Sequence, residues 1–135
     1  MRFLLLALCL AGCLSPPSGL VITGATPAEV EQIHGVLSAA ITVTGDVRGA
    51  LRGDLGVRVA ATRGEVAEYC LPDDSRTAGC NYPSGNGFVI VVDGEGMIPF
   101  LAHEAWHVAT GSYNEVEAAA GAIRIEEAYR LQSVP

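Results

Sequence analysis

Two of the three histidines in this chain, His103 and His107, stand four residues apart in the sequence His-Glu-Ala-Trp-His. On a helix, residues four apart lie only about 40° apart around the axis, so both imidazoles emerge from one face and can bind a single ion. Glu104, between them, can take a proton from a water molecule that such an ion activates. The spacing predicts a hydrolytic metal site with His103 and His107 as ligands of zinc (Zn2+) and Glu104 as the catalytic base.

This pattern resembles that of the zincins, a group of zinc metallopeptidases, and within them the small gluzincins, whose third ligand is a glutamate on the following helix. In that pattern the ligand opens a Glu-x-x-x-Asp or Glu-x-x-Ala-Asp stretch, and Glu115 and Ala118 match its first and fourth positions. The fifth position is Ala119, a departure, because the family's aspartate orients a zinc-binding histidine. The resemblance covers about residues 87–131. It implies a small zincin-like domain that hydrolyses peptide or protein substrates, with Glu115 as third ligand.

Glu117 is the alternative third ligand. It stands two residues from Glu115, so the two side chains leave a helix on nearly opposite sides and only one can face the metal. Both glutamates also fit helix capping, Glu115 with Ser112 and Glu117 with Asn114. We expect Glu115 to be the ligand, while another residue or water remains a further alternative.

A helix must carry the two histidines, and its boundaries are marked in the sequence. Pro99 fits a first helical turn and Gly111 fits a helix end, so we expect a helix over about residues 98–110. The face opposite the histidines is apolar and should pack on a sheet: Leu101, Ala105 and Val108.

Other segments supply the sheet and the remaining helices. Thr26, followed by proline and then by glutamate three residues on, predicts the start of a helix that ends near Gly45. The expected strands are residues 56–61, 87–92 and a short one at 20–23, and a last helix covers about 114–132. The order helix, strand, strand, helix, helix predicts an α+β fold. We expect the strand at 87–92 to lie beside the cleft, where an edge strand can pair with an extended peptide.

The N-terminus predicts export and a lipid anchor. Arg2, followed by an apolar run too short to span a bilayer, is typical of a secretory signal. The run ends in Leu-Ala-Gly-Cys, which resembles the lipobox of bacterial lipoproteins and implies cleavage before Cys13 and lipidation of that cysteine. The alternative is an ordinary cleaved signal and a free secreted protein.

These features divide the chain into three parts: a lipoprotein signal peptide over residues 1–12, a lipidated tether over 13–19 and the zincin-like domain over 20–135. The anchor implies a location at the bacterial cell envelope, on the membrane and facing outside the cytoplasm. Leu14 after the lipidated cysteine favours the outer membrane by resemblance to enteric sorting rules.

Cys70 and Cys80 are the only thiols left once Cys9 is removed with the signal and Cys13 is acylated. In an oxidising compartment we expect them to form a disulfide around a short loop. A two-cysteine zinc site is the alternative, but nine intervening residues do not suit a Cys-x-x-Cys hook.

The charge of the chain bears on its partners. Fifteen acidic residues outweigh eight basic ones, all of them arginines, and these are scattered along the sequence. Nucleic acid is therefore not expected as a partner, and we expect a monomer. Two other functions stay open: a non-catalytic metal-binding or structural envelope lipoprotein, and a metal-dependent hydrolase that acts on something other than protein, such as a peptidoglycan stem peptide.

Overall fold

The core of the fold is a four-stranded mixed sheet, and one of its interior strands contains four consecutive β-branched residues, 89–92. The computed structural model describes residues 19–70 and 78–134, and every element below lies within them. The strands are β1 (Gly19–Thr23), β2 (Asp54–Ala60), β3 (Gly79–Ser84) and β4 (Gly87–Asp93), in the spatial order β1-β2-β4-β3. β1 pairs with β2 and β2 with β4 in parallel, whereas β3 pairs with β4 antiparallel.

Helices cover the sheet on both faces. Within the described residues there are four: α1 (Pro27–Thr44), α2 (Arg63–Tyr69), α3 (Met97–Thr110) and α4 (Glu115–Gln132). Side chains alternate between the two faces of a strand. Ile90 and Val92 of β4 are fully buried in the core that α1, α3 and α4 form, and Val91 between them packs against the short α2. The predicted α+β class is confirmed.

The position of β4 corrects one expectation. The strand at residues 87–92 was expected to be an edge strand beside the cleft, and this is wrong, because β4 lies between β2 and β3. The edge next to the candidate site is β3, which the sequence did not predict. Asn81 and Pro83 have low strand propensity, and proline is tolerated in a strand at an edge. A two-residue turn with Gly85 at φ 57° joins β3 to β4, as is typical of tight hairpins.

The predicted boundaries of the first helix are confirmed. The Thr26 hydroxyl accepts a hydrogen bond from the Glu29 backbone N–H, and the Glu29 carboxylate accepts one from the Thr26 N–H. At the other end Gly45 adopts the left-handed conformation at φ 70°. α2 begins in the same way, with the Thr62 hydroxyl accepting from the Glu65 N–H, a signal that the sequence analysis missed.

Cys70 and Cys80 form the predicted disulfide, with their Cα atoms 5.9 Å apart. Because both sulfurs are used in this bond, the alternative of a two-cysteine zinc site is wrong. The bridge joins the end of α2 to the edge strand β3.

The expected signal peptide and the lipidated Cys13 lie outside the described residues. Gly19, predicted as the end of the tether, is the first residue of β1. None of the described helices combines the length and the apolar character that crossing a membrane requires.

Trp106 of α3 packs closely against α4, and this contact predicts an effect on stability. A methyl group added at Gly121 would overlap the indole ring of Trp106. We expect Gly121→Ala to destabilise the protein by about 1–3 kcal/mol, since overpacking outweighs the gain in helix propensity. Urea unfolding followed by circular dichroism measures the change.

Gly64→Ala in α2 is the matched control, because the nearest atom to the added methyl group is the Thr62 hydroxyl oxygen at 3.8 Å. We expect it to be neutral or stabilising by up to about 1 kcal/mol. Equal effects of the two substitutions would contradict the close contact between Trp106 and α4.

Candidate metal centre

The connection between α3 and α4 brings their site residues together. α3 ends at Gly111, which is left-handed at φ 72° and donates its N–H to the His107 carbonyl at 2.8 Å. Three residues later, the Asn114 side chain caps α4 by accepting hydrogen bonds from the N–H groups of Val116 and Glu117. The first residue of α4, Glu115, is therefore held beside the last turns of α3.

Three side chains of this helix pair converge. The Nε2 atoms of His103 and His107 are 3.1 Å apart. The two carboxylate oxygens of Glu115 lie 2.9 Å from His103 Nε2 and 3.3 Å from His107 Nε2. His107 is buried, His103 is partly exposed and Glu115 is exposed. These three residues form a group that could hold a metal ion.

The separations fit a small tetrahedral ion. Ligand bonds of about 2.0–2.1 Å at tetrahedral angles place neighbouring ligand atoms about 3.3 Å apart. The two histidine nitrogens are 3.1 Å apart, close to that distance, and Glu115 offers one oxygen 2.9 Å from His103 Nε2 and its other oxygen 3.3 Å from His107 Nε2. With one ligand atom taken from each residue, the three atoms lie within 4.8 Å of one another. Two imidazoles and one carboxylate also form a ligand set typical of catalytic zinc, which leaves a fourth position open.

A backbone carbonyl orients His107. His107 Nδ1 lies 2.6 Å from the Ser112 carbonyl oxygen, which can only accept, so Nδ1 carries the proton and donates a hydrogen bond to that oxygen. In a neutral imidazole with Nδ1 protonated, Nε2 carries the lone pair and is free to bind a metal. The sequence could not reveal this partner, since any residue at position 112 offers the same carbonyl.

Glu115, and not Glu117, faces the histidines. The Ser112 hydroxyl donates a hydrogen bond to the Glu117 carboxylate at 2.9 Å, which holds that side chain at the helix start. The expectation that only one of the two glutamates can reach the group agrees with this geometry. The capping role considered for Glu115 with Ser112 belongs instead to Asn114.

This arrangement predicts a difference between two otherwise similar substitutions. Glu115→Gln should weaken zinc binding by about 10²–10³-fold, because it removes a charged ligand. Glu117→Gln should change the zinc affinity less than threefold, since the Glu117 carboxylate accepts a hydrogen bond from Ser112 and does not face the histidines. Competition titration against a chromophoric chelator measures both. The reverse order of effects would make Glu117 the ligand.

Glu104 lies beneath this group and is 8% exposed. The Asn81 amide donates a hydrogen bond to Glu104 Oε2 at 2.6 Å. Burial raises the pKa of the Glu104 carboxyl, and the Asn81 hydrogen bond and the two nearby histidines oppose part of that rise. A carboxylate with a raised pKa is a stronger base than a free one once it is ionised. Asn81 was missed because β3 itself was not predicted.

A cleft of about 590 Å³ opens beside Glu104, and both His103 and Glu115 line it. The backbone of β3 forms one wall at Gly79, where an added methyl group would meet the Glu104 side chain at 3.5 Å. Ala119, where the gluzincin pattern has an aspartate, lines the cleft on the α4 side. The described residues offer no carboxylate to His103 other than Glu115.

The two tyrosines near the predicted site differ in position. The Tyr113 ring stacks on the His107 ring, with centroids 6.1 Å apart, and is 72% exposed. Tyr129 packs against the main core and lies close to Gly35 of α1. Only Tyr113 therefore stays close to the candidate metal centre.

Comparison with known proteins does not identify a family for this chain. No protein-family model matches it, and neither a curated protein nor a solved structure is significantly similar to it.

Proposed function

We propose that the chain is a zinc-dependent peptidase of the zincin type. The observation that carries this proposal is the convergence of His103, His107 and Glu115 at separations that suit a tetrahedral ion, with the carboxyl of Glu104 directly beside them. A buried carboxyl next to three ligands with an open position is the arrangement that hydrolysis by metal-activated water requires.

Zinc, when bound, supplies a Lewis acid that polarises the scissile carbonyl and makes a water molecule more acidic. The chain's own residues complete the reaction. Glu104 takes a proton from the attacking water while the water oxygen forms a bond to the carbonyl carbon. The same carboxyl then gives this proton to the amine nitrogen as the C–N bond breaks. Asn81 holds Oε2 of the base, and no described residue hydrogen-bonds Oε1.

The edge strand β3 is the surface on which an extended substrate would lie. An edge strand presents unpaired N–H and C=O groups, and a peptide can add to it as a further strand. Gly79 brings the β3 backbone next to Glu104, so a peptide paired there would pass the base. Pairing with an extended peptide, which the sequence suggested for residues 87–92, is therefore proposed for β3 instead.

The proposed location is the bacterial cell envelope, with the domain held on the membrane through lipid on Cys13 and facing away from the cytoplasm. The support for this lies in the lipobox-like sequence before Cys13. The disulfide between Cys70 and Cys80 agrees with an oxidising compartment.

One experiment tests the metal and the activity together. The purified chain should contain about one zinc per molecule by elemental analysis and should cleave peptides from a mixed library analysed by mass spectrometry. A chelator should abolish cleavage, and added zinc should restore it. A protein that stays metal-free after zinc supplementation would contradict the proposal.

A non-catalytic metal-binding lipoprotein is the second candidate. Ala119 favours it, because the aspartate that orients a zinc-binding histidine in the gluzincin pattern is missing there, and among the described residues His103 pairs with no carboxylate other than Glu115. Stoichiometric zinc with no cleavage of casein, of the peptide library or of purified cell wall would support this candidate. Cleavage of cell wall alone would assign the stem peptides of peptidoglycan as substrates.

A further inference from the structure

The cleft contains a carboxylate that neither binds the candidate metal nor acts as the base. Four residues of α4 line the cleft: Glu115, Ala119, Ala122 and Glu126. Their sequence spacings of four, three and four residues place them in one row, or stripe, along the same face of the helix. Carboxylates stand at the two ends of the stripe, and only methyl groups lie between them. The small side chains leave room for a substrate side chain along α4.

Part of the cleft wall that α3 forms is apolar. Pro99 and Phe100 of α3 line the same cleft. The face of the Phe100 ring is 5.2 Å from the guanidinium of Arg63, but this cation is itself paired with the buried Asp93 at 2.6 Å. Arg63 therefore adds little net positive charge to the cleft.

Glu126 has no strong partner among the residues that the structure describes. The Glu126 side chain is 22% exposed, and it pairs at 3.8 Å with Arg130 one turn later, whose side chain is 75% exposed. A pair at this distance with so exposed an arginine contributes little to stability. Three carboxylates line the cleft: Glu104, Glu115 and Glu126. When all three are ionised, a bound divalent cation leaves a net charge of minus one in the cleft. Glu126 is the carboxylate that lies away from the metal.

We infer that Glu126 selects a basic side chain of the peptide substrate. The aliphatic stem of a lysine or arginine would lie along Ala119, Ala122 and Phe100, and its charged end would reach the Glu126 carboxylate. This inference rests on the proposed peptidase function, because it requires a peptide in the cleft.

The length of the helix sets where the selected side chain lies. Glu126 is eleven residues from Glu115, which corresponds to about 16 Å along α4. An extended peptide rises about 3.3 Å per residue, so the basic residue stands about two to five residues from the scissile bond once side-chain reach is included.

Binding measurements on the full chain, purified in detergent, test the selection. The zinc-loaded Glu104→Gln protein is titrated with fluorescent dodecapeptides in which one lysine moves along a neutral background, and with matched peptides containing norleucine instead. Fluorescence anisotropy should show that lysine at the preferred position binds about five- to tenfold more tightly than norleucine. Glu126→Gln in the same background should reduce this ratio to below twofold.

Two further variants serve as matched controls. Glu127→Gln removes an exposed carboxylate that does not line the cleft and should keep the ratio. Arg130→Gln removes the competing cation and should raise it. Equal binding of lysine and norleucine peptides, or an unchanged ratio in Glu126→Gln, would overturn the inference.

Cleavage rates of the same peptides by the unsubstituted chain separate the two proposals. Equal cleavage of lysine and norleucine peptides would overturn the selection and leave the peptidase intact. Selective binding that depends on Glu126 without any cleavage would support the selection and contradict the peptidase.

Discussion

Glu104→Gln should slow peptide hydrolysis by about 10²–10⁴-fold while the protein keeps its zinc. The substitution preserves the shape of the side chain and its hydrogen bond, since the amide oxygen of glutamine can accept from Asn81 as the carboxylate does at 2.6 Å. It removes the group that is proposed to accept the proton of the attacking water. Steady-state kinetics on a fluorogenic peptide and elemental analysis of the same sample measure the two effects.

Glu95→Gln is the control for this substitution. Glu95 is exposed in the turn before α3 and does not line the cleft, so hydrolysis should be unchanged. If the Glu104→Gln protein retained more than a tenth of the normal rate, Glu104 would not be the base, even if the metal were present.

Removing a histidine should have the second large effect. The free energy of zinc binding at sites that drive folding is about 10–16 kcal/mol. Divided among four ligands, this is roughly 3–4 kcal/mol for each ligand, so the loss of one ligand corresponds to about 10²–10³-fold in affinity. We therefore expect His107→Ala and His103→Ala to weaken zinc binding by this factor or more. Competition titration and elemental analysis measure the loss.

The two histidines differ in their effect on folding, which helps to interpret this experiment. His107 is 5% exposed and donates to the Ser112 carbonyl, so its truncation also costs stability. His103 is more exposed, so His103→Ala should lose metal with less effect on unfolding. His34→Ala, at the third histidine, should leave zinc affinity unchanged. Affinities within threefold of one another for all three variants would rule out the proposed centre.

Local signals in the sequence predicted several features of the fold well. The capping pair of Thr26 and Glu29 fixed the start of α1, and the four-residue spacing of His103 and His107 placed both rings on one face of α3. Each of these depends on neighbouring residues of one helix. Cys70 and Cys80 were paired by elimination, which required no knowledge of the fold.

The features that sequence analysis missed depend on distant contacts. β3 is held by pairing with β4 and by the disulfide, and not by its own strand propensity. Asn81 reaches Glu104 only because this pairing exists, and the Ser112 carbonyl is a backbone group without a sequence signature. The stripe that ends in Glu126 becomes visible only when α3 packs against α4 and the cleft between them is defined.

The bridge between Cys70 and Cys80 has a practical consequence. Cys80 is the immediate neighbour of Asn81, whose amide hydrogen-bonds Glu104, so a thiol reductant in the buffer would remove one constraint on β3 and leave its pairing with β4. The reductant would also compete for a bound metal ion. If the chain is exported as proposed, copies still in a reducing cytosol would lack this constraint until they are oxidised outside it. Assays and storage should therefore exclude dithiothreitol.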